Sequence, residues 1–272
     1  MSNILLAYDN ATYGAINTSI DGWASYADFA PLKTTALAHR WQSAGLATAD
    51  MRITTFGWVG APSIACIVLA NHNLTLAATV RIMASNDPAF GTLVYDSGTV
   101  GAFAAGVTAA SRAGLRWNFV HRLSAPAAAA YWRIEMSDAA NPAGFLAIGR
   151  LAGFTSIWQP TINMSAGAGI AWESPSEAQQ ALSGAEWFID REPFRTMQFK
   201  VDHLTTADAM GGAFDLQRVA AGARREVWLQ YDPSDGVHSV RRSLFGRLRK
   251  LSAIEEPYVN GHTTAFEVKE LI

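Results

Sequence analysis

The sequence predicts a mainly β protein with one helix, and three observations carry that expectation. Ile64 to Gly98 holds three short apolar runs rich in Val, Ile and Tyr between turn signals, each too short for a typical helix. Tyr131 to Met136 and Met197 to Val201 alternate between apolar and polar residues, the period of a half-buried strand. Only the segment after Thr205 carries both a helix start and a helix stop.

Taken in order, Ile4 to Tyr8 reads as a first short strand, followed by irregular sequence through Pro31 and a strand near Met51 to Phe56. The dense aromatics of this region, Tyr8, Tyr13, Trp23, Tyr26, Phe29, Trp41, Phe56 and Trp58, read as core plugs, because each buries a large area without regular structure. Ile64 to Leu69 is apolar on both faces, so it is expected either in the middle of a covered sheet or against another domain or subunit. In the next run Val80, Ile82 and Ala84 share one face and Thr79, Arg81 and Met83 the other. Asn71-His72-Asn73 and Asn86-Asp87-Pro88 supply the connections, since Asn and Asp side chains mimic backbone partners and tolerate positive φ.

Thr99 to Ala130 reads as long loops around one strand, and Phe145 to Leu151 as a strand pairing back on Tyr131 to Met136. After Phe154, strands are expected at Thr155 to Met164, Gly169 to Glu173 and Trp187 to Ile189, with Pro175 to Ser183 a polar connection. Thr205-Thr206-Ala207-Asp208 reads as a variant capping box and Gly222 as the C-terminal stop. Gly211-Gly212 costs this helix about 1 kcal/mol per residue against alanine, so it is expected to lean on packing through Met210, Phe214 and Leu216. Strands resume at Glu226 to Tyr231 and return through His238 to Leu248, and in the last segment Phe266 and Val268 point inward. The organisation is thus an N-terminal segment, 1–40, irregular with one short strand; a sandwich, 41–155; and a smaller β-rich domain, 156–272, with its helix near 206–221.

Composition narrows the function. Only 16% of the residues are charged and half are hydrophobic, so much of the surface is expected to face neighbours rather than water. A net charge of −2 argues against a whole-protein role on nucleic acid or an anionic membrane. The N-terminus has no basic leader with an apolar core, and no stretch approaches the ~20 apolar residues of a membrane span, so synthesis and folding are expected in cytoplasm. The single cysteine, Cys66, sits in an apolar run and reads as a small buried hydrophobe.

Chemistry-bearing motifs are scarce. There is no Gly-x-Ser-x-Gly and no His-Glu-x-x-His, and His39, His72, His121, His203, His238 and His262 lack ligand spacing. Gly167-Ala168-Gly169 lacks the third glycine and basic residue of a phosphate loop, and Glu255-Glu256 reads as a solvated loop. The expectation is a protein without enzymatic activity, cofactor or metal. Arg241, Arg242, Arg247, Arg249 and Lys250 form the densest basic group, which reads as a solvated strand face or an ion-pair surface. Trp117, Asn118, His121 and Arg122 form the candidate binding site: indole stacks on the apolar face of a sugar, and the polar groups match its hydroxyls. The alternative makes Trp117 a core residue of a strand and Arg122 its edge, and packing is the commoner use of an aromatic.

The phrases IACIVLANHNLTLAATVRIMASND, TLVYDSG and YWRIEMSD together resemble galactose-binding-like jelly rolls, the discoidin-type β-sandwich, over roughly residues 40 to 155. MQFKVDHLTTADAM, EVWLQYDPSD, SLFGRL and the ending AFEVKELI resemble the C-terminal region of tail-tip or baseplate proteins of tailed bacteriophages, over roughly 190 to 272. The region before residue 40 resembles no named family. The resemblance implies a galactose-binding-like jelly-roll β-sandwich plus a second, smaller β-rich domain, in a structural virion protein of the distal tail. It also implies ring-like homo-oligomers, other tail or baseplate proteins as partners, and a location at the tail tip after synthesis in the host cytoplasm. A carbohydrate-binding module for a host surface glycan is the alternative, and a polysaccharide hydrolase ranks last for want of an acid, base and nucleophile set.

Overall fold

The computed structural model describes residues 2–13, 16–18, 30–47, 52–58, 60–220, 224–259 and 261–272. Trp23, Tyr26 and Phe29 lie outside the described residues. The first strands are β1 (Leu5–Asn10), β2 (Ile16–Thr18), β3 (Trp41–Gln42), β4 (Arg52–Trp58), β5 (Ser63–Ala70) and β6 (Thr79–Ser85). They are followed by β7 (Leu93–Asp96), β8 (Val100–Gly101), β9 (Asn118–Ala128), β10 (Tyr131–Ser137), β11 (Ala147–Ile148) and β12 (Arg150–Trp158). The second half holds β13 (Gly169–Glu173), β14 (Glu177–Gln180), β15 (Glu186–Ile189) and β16 (Phe194–Leu204), then β17 (Glu226–Gln230), β18 (Ser243–Leu248), β19 (Glu255–Tyr258) and β20 (Gly261–Glu270). Helical segments are α1 (Ala30–Lys33), α2 (Ala109–Arg112) and α3 (Thr206–Asp208), the last passing through a π turn, Ala209–Phe214, into α4 (Asp215–Ala220).

The chain is mainly β, as the alternation predicts, and a β-sandwich is joined to a second β-rich half. One large sheet runs β13-β16-β20-β18-β17-β1-β12-β5-β9, with β19 added beside β20, and a second runs β2-β4-β10-β6-β7, with β8 beside β6. The first half packs the β12-β5-β9 end of the large sheet against the second sheet. Ile67, Leu69, Val80, Ile82, Trp132 and Ile134 fill the space between them. Val80, Ile82 and Ala84 are buried on the expected face.

β1 joins the halves. It pairs on one side with β12, Leu6 opposite Trp158, and on the other with β17, Leu6 opposite Leu229. The boundary expected between 155 and 156 therefore falls inside β12. On the second half Leu6, Phe199, Val201, Leu229, Phe266 and Val268 bury one face of the sheet under the helix.

β5 is buried on both faces, but the cover comes from this chain. A bulge between Ile64 and Cys66 puts Ile64, Ile67 and Leu69 into the sandwich core. Cys66, Val68 and Ala70 then meet Leu5, Phe154, Trp228 and Phe245 on the other side. The doubly apolar run needs no second subunit to cover it. Asn71-His72-Asn73 likewise does more than turn: Asn71 takes φ +54°, the Asn73 side-chain amide donates to the Phe145 carbonyl at 2.8 Å, and its Oδ1 accepts from the Ala147 N–H at 2.7 Å.

Several elements differ from expectation. Pro175 to Ser183 contains β14, paired with β15 as a hairpin; Glu255 and Glu256 begin the exposed strand β19; and the expected strand Thr155 to Met164 stops at Trp158. The helix runs as expected from Thr206 to Ala220, and Gly222, its expected stop, lies outside the described residues; yet Met210 and Phe214 are about half exposed while Ala209, Gly212, Ala213, Leu216 and Ala220 are buried. The Thr205 hydroxyl caps the helix by accepting from the Asp208 N–H at 3.1 Å. The Asp208 carboxylate instead accepts from the Thr161 N–H at 3.3 Å, so the box is half formed.

Candidate functional site

A cavity of about 390 Å3 opens where the two halves meet, a size within the range of small-molecule sites. β9, the last strand of the large sheet, forms one wall. Pro126 within it is tolerated because an edge strand does not need every N–H in a ladder. The segment 100–104 forms a second wall, and the second half contributes Trp228, Gln230 and the 233–243 connection. The floor is Leu5, Cys66 and Val120.

Of the four residues expected to form a site, Asn118, His121 and Arg122 line this cavity and Trp117 does not. The Trp117 indole donates to the Arg112 carbonyl at 3.0 Å, and the Arg112 guanidinium lies 3.9 Å from its ring centre. That stack occupies one face of the indole. Asn118 accepts from the Asn71 N–H at 3.1 Å. His121 Nε2 lies 2.6 Å from the Tyr95 hydroxyl, its ring parallel to Phe119, and burial pushes its pKa down, which favours the neutral imidazole. Arg122 is exposed and donates to Gln159 at 3.2 Å.

The residues that sequence reasoning missed come from the far half of the chain. Trp228 is 1% exposed, lines the cavity, and its Nε1–H has no hydrogen-bond partner among the described residues. Ser239 and Ser243 line the same wall, with the Ser239 hydroxyl donating to the Gly236 carbonyl at 2.8 Å and that of Ser243 to the Ser239 carbonyl at 2.6 Å. Burial pushes the Cys66 thiol up to about 12, which keeps it from acting as a nucleophile near neutral pH. Among the described residues no group of three or more His, Cys, Asp or Glu side chains is placed to hold a metal ion.

Two of the five residues of the basic group are ion-paired. Arg242 meets Asp235 at 2.8 Å, and Arg249 meets Glu173 at 2.5 Å and Glu267 at 2.9 Å. Arg241 instead donates to the Ser111 carbonyl at 3.0 Å.

A second surface stands apart from the cavity. All eight strand residues of the β14–β15 hairpin are exposed, including Trp187 and Phe188 at 48% and 64%, and Leu182 in its turn is fully exposed. The Trp187 indole donates to Gln179 at 3.1 Å across the hairpin, and Arg191 pairs with Glu177 at 3.0 Å at its base. Ile170 and Trp172 on the neighbouring edge strand β13 are also exposed.

No family model matches the sequence, and no curated protein matches it. Among solved structures, the chain is similar to CBM32-1 from a family 31 glycoside hydrolase from Clostridium perfringens. The TM-score is 0.34 and the identity 14%, over 52% of this chain and 92% of that one. No helix of the described residues is long and apolar enough to cross a membrane.

Proposed function

We propose that this chain is a structural subunit of a larger protein assembly, of the kind found at the tail tip or baseplate of tailed bacteriophages. The observation that carries the reading is the β14–β15 hairpin, which presents Leu182, Trp187 and Phe188 to solvent. A two-stranded hairpin is marginally stable in water, and soluble monomers rarely expose large contiguous apolar surface, so a partner that covers these side chains stabilises both the hairpin and the complex. The low share of charged residues and the resemblance of residues 190–272 to tail-tip proteins support the same reading.

Co-expression with the other tail proteins tests it. A chain whose residues 177–189 are replaced by a short Gly-Ser link is expected to keep its thermal transition and to lose its place in the complex. Undiminished incorporation of that variant defeats the reading.

The cavity favours a second reading, recognition of a host surface glycan. Asn118, Arg122, Gln230 and Ser239 surround an apolar floor, and that combination suits a sugar ring with its hydroxyls. A glycan array probed with the full chain and with Asn118→Ala tests it; binding that is absent, or unchanged by the substitution, removes it.

A further inference from the structure

The geometry points to self-association in which the β14–β15 hairpin of one copy seats its turn in the cavity of a second copy. The inference rests on the assembly reading and names the partner as this chain itself. Four observations converge on it.

First, each surface lacks what the other has. The hairpin ends in Leu182, fully exposed, while the cavity has an apolar floor of Leu5, Cys66 and Val120 and room for more than one side chain. Burying that leucine removes its apolar side chain from water, which favours the contact. Second, the cavity borders an open sheet edge. β9 ends the large sheet, so among the described residues its outer backbone groups have no strand neighbour, and the hairpin offers a strand of its own to continue the ladder. Third, Asn118, Gln230 and Ser239 give the cavity wall polar groups, and the backbone N–H and carbonyl groups of a docked turn are partners for them.

Charge is the fourth. Within the hairpin Glu177 is paired with Arg191, and beyond it Glu192 pairs with Arg116 at 2.5 Å. Glu186 and Asp190 are exposed and make no ion pair among the described residues. Arg122 lines the cavity and Arg241 follows the lining residue Val240 in the chain; both are exposed and meet only an amide oxygen and carbonyl oxygens. Two unpaired carboxylates thus face two unpaired guanidinium groups when the surfaces meet, an arrangement that steers encounter and fixes register.

The contact is heterologous: the donor surface of one copy meets the acceptor surface of the next. Repetition closes a ring if the rotation per copy permits and otherwise extends a filament.

Sedimentation velocity of the purified full chain over a wide concentration range tests the proposal, using Leu182→Asp to disable the hairpin and Ser239→Trp to fill the cavity. The wild type is expected to self-associate, and each variant to do so about 100-fold more weakly, because a carboxylate resists an apolar site and an indole excludes the turn. Mixed together, the two variants retain one intact hairpin and one intact cavity, so they are expected to form a one-to-one heterodimer and nothing longer. A monomeric wild type, or a Leu182→Asp chain that associates as the wild type does, overturns the proposal. A wild type that stays monomeric yet enters the tail complex overturns self-docking alone and leaves the assembly reading in place.

Discussion

Gly212 in the π turn lies so close over the Trp158 indole that a Cβ at Gly212 would collide with Nε1 and Cδ1 of that ring. The helix approaches the sheet there through Ala209, Gly212, Ala213, Leu216 and Ala220, a stripe of mostly small side chains. Gly211, one residue earlier, is exposed, and a Cβ there meets nothing. The two adjacent glycines therefore have opposite roles. Gly212→Ala is expected to destabilise the protein by about 1–3 kcal/mol through overpacking, and Gly211→Ala to stabilise it by about 0.5–1 kcal/mol through helix propensity and reduced freedom of the unfolded chain. Urea unfolding of the two variants checks this; shifts of the same sign would show that Trp158 moves aside at little cost.

Arg150 on β12 and Glu226 on β17 form a fully buried ion pair at 3.1 Å across the end of β1. Arg150 also donates to the Leu32 carbonyl at 3.1 Å, and the other Glu226 oxygen accepts from Asn10 at 3.3 Å. The pair ties the sandwich to the second half at the strand they share. Removing one partner leaves the other charge buried, so Glu226→Gln is expected to cost about 3–5 kcal/mol. The double variant Arg150→Met with Glu226→Leu is expected to recover most of that loss, because an apolar pair pays no desolvation of charge. Chemical denaturation of the single and double variants decides it, and equal losses in both would contradict the account.

These two relationships also mark where sequence reading stops. The strands at Thr79–Ser85, Tyr131–Ser137 and Phe194–Leu204 are legible because alternation is local and one face of each is buried. The role of β1 is not, since its partners Trp158 and Leu229 lie far along the chain and no local pattern announces a pairing. The helix face is misread because Met210 and Phe214 outrank alanine and glycine in hydrophobicity, whereas close approach selects small side chains. The polar run Glu177–Gln180 has poor strand propensity and becomes a strand by pairing with Glu186–Ile189. The cavity is half legible: Asn118, His121 and Arg122 come from one strand, while Trp228 and Ser239 arrive from the other half.

Asn73 holds two connections together through its amide. Its Nδ2 donates to the Phe145 carbonyl at 2.8 Å, its Oδ1 accepts from the Ala147 N–H at 2.7 Å, and its own carbonyl accepts from Asn141 at 3.0 Å. Asn73→Ala strands one donor and one acceptor in a partly buried place, with an expected loss of about 2–4 kcal/mol. Asn73→Asp keeps the acceptor for Ala147 but sets a carboxylate against the Phe145 carbonyl, so it is expected to restore no more than part of the stability. Calorimetric melting of both variants measures the difference, and a loss within about 0.5 kcal/mol for alanine, the scale of ordinary surface substitutions, would show that water replaces the amide.

His72 predicts a pH dependence. Its ring is 3% exposed and sits edge-on to Phe103 at 5.4 Å, while Nδ1 accepts from the Leu74 N–H at 3.2 Å. Burial, aided by the nearby charges of Arg112 and Arg40, lowers its pKa from 6.5 to about 3. Between those two values the unfolded chain binds a proton at His72 and the folded chain does not, so stability falls as the pH falls through this window. At 1.36 kcal/mol per pH unit the loss reaches about 2 kcal/mol by pH 5. His121, pushed down by burial as well, adds a contribution of the same sign. Asp96 and Asp235 are lowered below the ordinary carboxylate value, so their losses begin at more acidic pH and leave the region between 7 and 5 to the histidines. Urea titrations at pH 7 and pH 5 are expected to show the wild type losing about 2 kcal/mol more than His72→Asn, which keeps an acceptor near the Leu74 N–H and cannot titrate. Equal losses in the two proteins would mean that protonated His72 is accommodated in the folded chain.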